Sequence, residues 1–173
     1  ITDRRAGRIA TDLCTSLCQR LRGIRLPGVK LFVEPVKEHR FVLVLRGPGL
    51  SGRLTETDPQ SLGVPARPAK AQAPAARRPA ALVNRFVAAA RKALAGEAPA
   101  NMVLLRGFDQ LPRLPSFPKT FGLKAAAIAA YPMYRGLARL VGMEVLKTGA
   151  TFADEIATLR QHREAYDFFF LHY

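Results

Sequence analysis

The stretch that most constrains the fold is residues 124–142, KAAAIAAYPMYRGLARLVG. An apolar run at 125–130 stops at Tyr131-Pro132, and a helical pattern with Arg135 in its first turn begins at once. A buried strand that leads directly into a helix presents free backbone N–H groups and a partial positive charge at the helix N-terminus. An arginine at the same point adds donors that suit a phosphate or a carboxylate. The stretch therefore predicts a strand–helix junction that binds an anion.

The segments after this junction continue the same rhythm. A short strand is predicted at 143–146, a helix at 151–165 with Thr151 as its N-cap, and a final strand at 167–173. Strands that alternate with helices indicate a parallel sheet covered on both faces. We therefore expect the last part of the chain to belong to a doubly wound α/β sheet.

The first hundred residues follow a different pattern, of α+β type. An amphipathic helix is expected within residues 1–24, and two strands at 29–36 and 41–46 are joined by a polar turn. A loop rich in Pro, Ala and Arg at 59–79 precedes a second helix, whose apolar positions start at Leu82. A further strand is expected at 101–106, where an apolar run ends at Arg106 and Gly107.

Three prolines between residues 108 and 122 mark the expected domain boundary. Pro112, Pro115 and Pro118 exclude regular structure there and favour a segment that crosses between domains. We expect an α+β domain at residues 1–111, followed by a partial α/β core at residues 112–173.

The charge of the chain is strongly positive. It carries 27 Lys and Arg against 13 Asp and Glu, for a net charge of +14. Such a surface attracts polyanions or small anions such as phosphates. Abundant Ala, Arg and Pro can also reflect codon bias, so the clustered arginines are more informative than the total charge.

The two cysteines indicate structure rather than chemistry. Cys14 and Cys18 lie four residues apart, on one helical stripe with Ile9, Leu13, Leu17 and Leu21. Free cysteines on such a stripe are typically buried, and no histidine near them in sequence would complete a metal site. We expect buried core thiols.

Several basic residues are candidates for binding an anion. Arg5 and Arg8, with Arg4 beside them, lie three apart at the start of the expected first helix and can face one anion together. His39 and Arg40 occupy the hairpin turn, where a purely surface role is equally compatible. Arg106 and Arg135 each follow a predicted strand, at the edge where α/β sheets bind ligands.

The motifs of common catalytic sites are missing from the residues given. There is no GxGxxG after a strand, no GxxxxGK[ST] loop, no GxSxG elbow and no HExxH pair. On these residues alone, the sequence predicts an anion-binding α/β protein without a recognisable catalytic centre.

Five segments together carry a resemblance to a known family: DRRAGR (3–8), VEPVKEHRFVLVLRG (33–47), TETDP (55–59), NMVLLRG (101–107) and GLKAAAIAAYPMYRGLARLVGM (122–143). Read in order, they resemble the archaeal-type, cofactor-independent phosphoglycerate mutases of the alkaline phosphatase superfamily. The resemblance implies an enzyme that interconverts 2-phosphoglycerate and 3-phosphoglycerate through a phosphoserine. It also implies two divalent metal ions, manganese or magnesium, which activate that serine.

The resemblance implies that this chain is an internal part of such an enzyme. Residues 1–111 resemble the substrate-binding insert domain, and residues 112–173 resemble part of the phosphatase core. The family's nucleophilic serine and most of its metal ligands fall outside the chain, so no catalytic residue, no bound metal and no turnover by the chain alone are expected. The positions expected to bind the glycerate's phosphate and carboxylate are Arg4, Arg5, Arg8, His39, Arg40, Arg106, Lys124, Tyr131 and Arg135.

Two other functions stay open. The chain could belong to another phosphatase or phosphotransferase of the same superfamily, because the segment that would show the chemistry is not in it. A basic nucleic-acid-binding module fits the net charge of +14, but the chain has no Trp and no stacking motif among its basic residues. The partner expected is a small phosphorylated glycerate. No apolar run is long enough to span a bilayer, so a cytoplasmic location is expected.

Overall fold

The computed structural model describes residues 1–173, which form two compact units, Ile1–Gln110 (unit 1) and Leu111–Tyr173 (unit 2). Unit 1 contains two helices and a two-stranded antiparallel sheet: α1 (Thr11–Leu21), β1 (Lys30–Pro35), β2 (Phe41–Arg46) and α2 (Arg77–Ala93). Unit 2 contains three helices and a three-stranded sheet: α3 (Phe117–Phe121), β3 (Ala125–Ala129), α4 (Pro132–Leu140), β4 (Glu144–Val145), α5 (Phe152–His162) and β5 (Phe168–His172).

The hairpin of unit 1 forms as its alternating sequence predicts. Strand β1 pairs with β2 in a register that places Phe32 opposite Val44 and Val33 opposite Leu43. Val33 is fully buried, whereas Phe32 and Val44 face outward and are exposed. The period of two therefore sends one face of the ribbon into the core of unit 1.

Helix α2 begins earlier than the sequence predicts. A short 3-10 turn, Pro74–Ala76, leads into the helix at Arg77, inside the expected loop. Pro79 lies in the first turn, where a helix needs no N–H donor, so it does not interrupt the helix. The buried face of α2 includes Phe86, which is fully enclosed.

The cysteines of α1 are buried, as predicted, but one part of the predicted stripe is wrong. Cys14 and Cys18 are 4% and 2% exposed, whereas Leu13 is 45% exposed. The buried positions of α1 are Cys14, Leu17, Cys18 and Leu21, a narrower stripe that excludes Leu13.

The strand expected at residues 101–106 does not form. Val103 and Leu105 are buried, which accounts for the apolar run, but the segment makes no strand ladder. Only Leu105 is paired through its backbone, since its carbonyl accepts from the Thr57 N–H at 2.9 Å and its N–H donates to Thr57 Oγ1 at 2.7 Å. A buried loop therefore takes the place of the strand.

The proline-rich segment holds one short helix that the sequence does not predict. Helix α3 has Pro118 in its first turn and ends at Gly122, whose φ of 67° is the left-handed conformation that suits glycine. Proline at the start of a helix costs no hydrogen bond, so the three prolines do not exclude a single turn.

Unit 2 is the parallel α/β sheet that the strand–helix rhythm predicts. Its strand order is β4-β3-β5, and β3 pairs in parallel with both neighbours. The chain crosses from β3 to β4 through α4 and then back from β4, past β3, to β5 through α5, so right-handed connections place the two helices on opposite faces. All five residues of β3 are buried, as a central strand requires. The doubly wound reading of this part is confirmed.

The start of α5 is fixed by a reciprocal cap. The Thr151 hydroxyl accepts from the Asp154 N–H, and the Asp154 carboxylate accepts from the Thr151 N–H at 2.9 Å. This capping box confirms Thr151 as the predicted N-cap. None of the helices in either unit has the length and apolar character needed to cross a bilayer.

Candidate anion-binding sites

The nine residues predicted to bind substrate fall into three groups in the structure. Two groups lie in unit 1, and the third lies in unit 2. The first, here called the N-terminal cluster, contains Arg5, Arg8, His39 and Arg40. The second surrounds Asp58 and contains Arg4 and Arg106. The third contains Lys124, Tyr131 and Arg135.

A left-handed turn shapes the N-terminal cluster. Ala6, Gly7 and Arg8 have φ angles of 49°, 61° and 53°, which place two non-glycine residues in a strained region. Asp3 holds this turn, because its carboxylate accepts from the Arg5 N–H at 2.6 Å and the Gly7 N–H at 2.7 Å. These bonds, first that from Arg5, lower the pKa of Asp3.

The turn corrects the predicted place of two arginines. Arg5 and Arg8 precede α1, which begins only at Thr11, so they do not share a helical face. The Asp3 carboxylate offers the backbone an alternative to helix, which is why the helix starts late.

The hairpin turn between β1 and β2 lies against the start of α1. It carries His39 and Arg40, the other two residues of the N-terminal cluster. The Glu38 N–H donates to Thr11 Oγ1 at 2.9 Å, and the Cys14 thiol donates to the Arg40 carbonyl at 3.6 Å. Glu38 itself has a φ of 54°, a second strained backbone at this site. The turn between β1 and β2 is thereby held in place from outside the hairpin.

His39 lies beside Glu38 in the hairpin turn, with its Nδ1 atom 3.9 Å from Glu38 Oε2. Burial of the ring lowers the pKa of His39, and the positive charges of Arg40, Arg5 and Arg8 lower it further, against the opposing effect of Glu38. Its Nδ1 atom is buried and has no hydrogen-bond partner. A bound anion would offset the repulsion among the positive charges of these arginines.

Two arginines of the cluster are available for a ligand. Arg40 donates to Glu38 Oε2 at 3.0 Å, whereas the side chains of Arg5 and Arg8 form no ion pair. Guanidinium groups without a carboxylate partner can donate two parallel hydrogen bonds to a phosphate or a carboxylate. The N-terminal cluster therefore has the chemistry of a site for a small dianion.

The second group is organised by Asp58, a carboxylate whose side chain is only 4% exposed. Arg4 donates to both of its oxygens, from Nε at 2.9 Å and from Nη2 at 2.7 Å. Arg106 Nε lies 3.7 Å from Oδ2, and the Gln60 N–H donates to Oδ1 at 2.9 Å. The hydrogen bond from Arg4 is the main cause that lowers the pKa of Asp58.

This arrangement separates the roles open to the two arginines. Arg4 donates to Asp58 from both Nε and Nη2, and this pairing raises the pKa of Arg4. The Arg106 side chain is 58% exposed, and its only ion pair, with Asp58, is long at 3.7 Å. Most of its donors therefore face solvent. It follows a buried loop rather than a strand, which corrects the predicted strand-edge placement.

The third group is divided between the two ends of β3. Lys124 precedes the strand, and its Nζ lies 4.8 Å from the centroid of the Tyr166 ring. Tyr131 and Arg135 follow the strand, at the N-cap and in the first turn of α4. The five residues of β3 separate them, at about 3.3 Å per residue. The structure therefore brings Tyr131 and Arg135 to one edge of the sheet and places Lys124 at the other.

Three acidic residues in these sites were not among the sequence candidates. Asp3 and Asp58 each accept from a backbone N–H two residues later, and the Asp58-Pro59 pair is a recognisable turn signal. Glu155 gives no such signal. It is fully buried on α5, and its Oε1 accepts from the Ala130 N–H at 3.1 Å, while its Oε2 has no partner.

The two-metal centre implied by the resemblance finds no ligand set in these residues. Nowhere in the structure do three or more His, Cys, Asp or Glu side chains converge as a metal site. The chain therefore supplies no complete set of ligands for such a centre.

The fold has close counterparts among solved structures. The cofactor-independent phosphoglycerate mutase from Thermoplasma acidophilum superposes with a TM-score of 0.72 at 27% identity, over 99% of this chain and 50% of that one. A protein from Pyrococcus horikoshii gives a TM-score of 0.73 at 18% identity, over 95% of this chain and 42% of that one, a likeness of fold alone. The chain thus has the mixed α/β architecture of the cofactor-independent phosphoglycerate mutase structures.

Sequence comparison identifies the family. The model of the 2,3-bisphosphoglycerate-independent phosphoglycerate mutase family matches residues 1–101, more than half of the chain. The relatives from Thermotoga maritima and Deinococcus radiodurans, both named "Probable 2,3-bisphosphoglycerate-independent phosphoglycerate mutase", are each 42% identical over 99% of this chain. The chain belongs to this family, which confirms the resemblance found in its motifs. It spans 43% and 44% of the length of these two relatives.

Proposed function

We propose that this chain is the substrate-binding portion of a phosphoglycerate mutase that interconverts 2-phosphoglycerate and 3-phosphoglycerate through a phosphoserine. The observation that carries the proposal is the N-terminal cluster. It gathers Arg5, Arg8, His39 and Arg40 on two turns held by Asp3 and Thr11, with two guanidinium groups left unpaired. Family membership supports the choice of a phosphoglycerate as the anion.

The two units have different parts in this proposal. Unit 1 is the substrate-binding insert domain, and unit 2 is part of an alkaline-phosphatase-like core. In unit 1, Arg5 and Arg8 bind the phosphate or the carboxylate, and Asp3 and Glu38 position the two turns. In unit 2, Arg135 lies beside the N-terminus of α4, where a helix favours negative charge. Fixing the phosphate and the carboxylate of the glycerate lowers the entropic cost of phosphoryl transfer, whichever unit supplies each contact.

The chemistry of transfer requires groups outside these residues. In the whole enzyme, two divalent ions, manganese or magnesium, would activate the serine that accepts the phosphoryl group. We infer that the isolated chain binds substrate without turning it over. The enzyme would act in glycolysis and gluconeogenesis, in the cytoplasm.

The test is an assay of the whole enzyme that contains this chain. Conversion of 3-phosphoglycerate is measured with manganese and without 2,3-bisphosphoglycerate. The double variant R5A/R8A removes two charge-assisted contacts, so kcat/KM is expected to fall by about 100-fold or more. The control R91A/K92A removes the same charge from an exposed end of α2 and should retain kcat/KM within about twofold. An inactive parent enzyme, or equal activities of R5A/R8A and the control, would contradict the proposal.

A further inference from the structure

Unit 1 also contains a cleft that Asp58 helps to line and that includes none of the nine residues predicted to bind substrate. It has a volume of about 520 Å³ and is bounded by two short segments, 55–60 and 67–70. Its basic lining residues, Arg67 and Lys70, were not among the sequence candidates. The volume is within the range of sites that hold a small molecule, and it exceeds the need of a single phosphate.

The walls of this cleft are fixed by backbone hydrogen bonds. The Thr55 N–H donates to the Lys70 carbonyl and the Arg67 N–H donates to the Thr57 carbonyl, both at 2.9 Å. Asn84 of α2 clamps the intervening residue, since its side chain accepts from the Ala69 N–H at 2.8 Å and donates to the Ala69 carbonyl at 2.9 Å. The two segments are therefore held at a set separation before any ligand binds.

The acidic groups of the cleft are already engaged by the protein. Asp58 is occupied by Arg4 and by the Gln60 N–H. Glu56 accepts from the Gln60 side-chain amide at 3.1 Å and from the Gly107 N–H at 3.3 Å. Gln60 reaches both carboxylates from a strained backbone with φ of 60°. The local structure thus satisfies the two carboxylates without using the cations opposite them.

The cations opposite are left free. The side chains of Arg67 and Lys70 form no ion pair or hydrogen bond within the chain, although both line the cleft. The Thr55 hydroxyl accepts from the Lys70 N–H at 2.8 Å and keeps its own hydrogen to donate. A guanidinium, an ammonium and a hydroxyl from residues that line one cleft are suited to the oxygens of a phosphate.

We propose that this cleft is a second anion site, which binds the phosphate group of a small phosphate monoester through Arg67, Lys70 and Thr55. The site shares no residue with the N-terminal cluster and goes beyond the proposed function. The proposal can therefore be tested independently of phosphoglycerate binding at that cluster. The remaining volume of the cleft accommodates the organic part of the ester beside Pro59 and Pro68.

The test is a titration of the 173-residue chain with inorganic phosphate and with glycerol 2-phosphate, followed by backbone amide NMR shifts. Shifts are expected at Thr55, Gln60 and Lys70 with both probes. The variant R67A/K70A should bind glycerol 2-phosphate at least about tenfold more weakly, because it removes both charged donors that are proposed to hold the phosphate. Unchanged affinity, or no shifts in the cleft, would overturn the proposal. Binding of inorganic phosphate without binding of the ester would overturn it as well.

Two controls keep this outcome specific. R91A/K92A removes the same charge elsewhere and should bind within about twofold of the parent, so an equal loss there would assign the effect to net charge and refute the site. R5A/R8A should leave the shifts at Gln60 and Lys70 intact. Their disappearance in that variant would mean that the cleft is not a separate site. R67Q/K70Q gives the same test with side chains that stay polar.

Discussion

Unit 1 buries large side chains from its helices, its hairpin and several loops, with Phe86 and Val33 fully enclosed. In unit 2, by contrast, the buried cluster is Ala126, Ile128 and Leu146, and most of its aromatic residues are only partly covered. Unit 2 nevertheless has the more regular secondary structure. Regular strands and helices therefore do not by themselves mark the unit with the larger core, or the one with more groups that can bind an anion.

The same contrast extends to the charged groups. In unit 1, arginines are positioned by irregular turns that side chains hold, as Asp3 holds the turn at residues 6–8. In unit 2, the candidate arginine takes its place from the strand–helix junction itself. Binding groups therefore depend on hydrogen bonds from side chains to irregular turns in one unit and on regular secondary structure in the other.

The largest effect expected is from removing the central side chain of unit 1. Phe86→Ala should lower the free energy of unfolding of unit 1 by about 3–5 kcal/mol, because it leaves a cavity in a closed core. Hydrogen exchange resolved by residue should show faster exchange in α1 and α2, with β3 unchanged. The matched change Ile128→Ala should give the reverse pattern. If Phe86→Ala reduced protection from hydrogen exchange equally in both units, the claim that each unit has its own core would be contradicted.

A smaller effect is expected at the buried carboxylate of unit 2. Glu155→Ala should cost about 1–3 kcal/mol of unfolding free energy, because the Ala130 N–H loses its acceptor. Glu155→Gln keeps a side-chain oxygen that can accept from the Ala130 N–H, so its stability should lie within about 1 kcal/mol of that of the parent. Urea denaturation monitored through unit 2 amides measures both variants. A Gln variant as unstable as the Ala variant would contradict the stabilising role assigned to the hydrogen bond from the Ala130 N–H.

A pH-dependent effect is expected at the ion pair of unit 1. Asp58→Asn should cost about 1–2 kcal/mol at neutral pH, because Arg4 loses an ionised partner. In the folded state, the pKa of Asp58 lies below its ordinary value of 3.8. Its stabilisation is therefore fully present above that value and is lost as the pH falls below it, toward the lowered folded pKa. Urea denaturation of unit 1 from pH 7 to 2 should show a shallower acid dependence in the variant, and parallel curves would contradict this.

The smallest effect is expected at the two thiols, Cys14 and Cys18, which should react very slowly in the native state. Burial raises the pKa of Cys14, and it raises the pKa of Cys18 to about 12. Few thiolates exist at pH 8, so labelling by a thiol reagent should follow the opening of unit 1 rather than the reagent concentration. Phe86→Ala should then accelerate labelling, whereas Ile128→Ala should not. Rapid labelling of the parent would place the thiols outside the core.

The sequence predicts the elements with local, regular patterns better than the sites formed by residues far apart in the chain. Periodicity predicted the hairpin, β3 and α5, because in each of these elements the spacing of apolar residues along the chain is local and reflects which positions are buried. The apolar run at 101–106 was wrongly assigned to a strand, since burial of a loop gives the same signal as burial of a strand. The approach of His39 to Arg5 and Arg8 depends on contacts such as that between Glu38 and Thr11, 27 residues apart. No local pattern in the sequence encodes that distance.

The most direct test of the central claim is a titration of the 173-residue chain with 3-phosphoglycerate, followed by backbone amide NMR shifts. We predict shifts at Arg5, Arg8, His39 and Arg40, with affinity reduced about 100-fold in R5A/R8A and retained within about twofold in R91A/K92A. Shifts confined to other parts of the chain, or an R5A/R8A variant that binds as tightly as the parent, would contradict the assignment of the N-terminal cluster as the phosphoglycerate site.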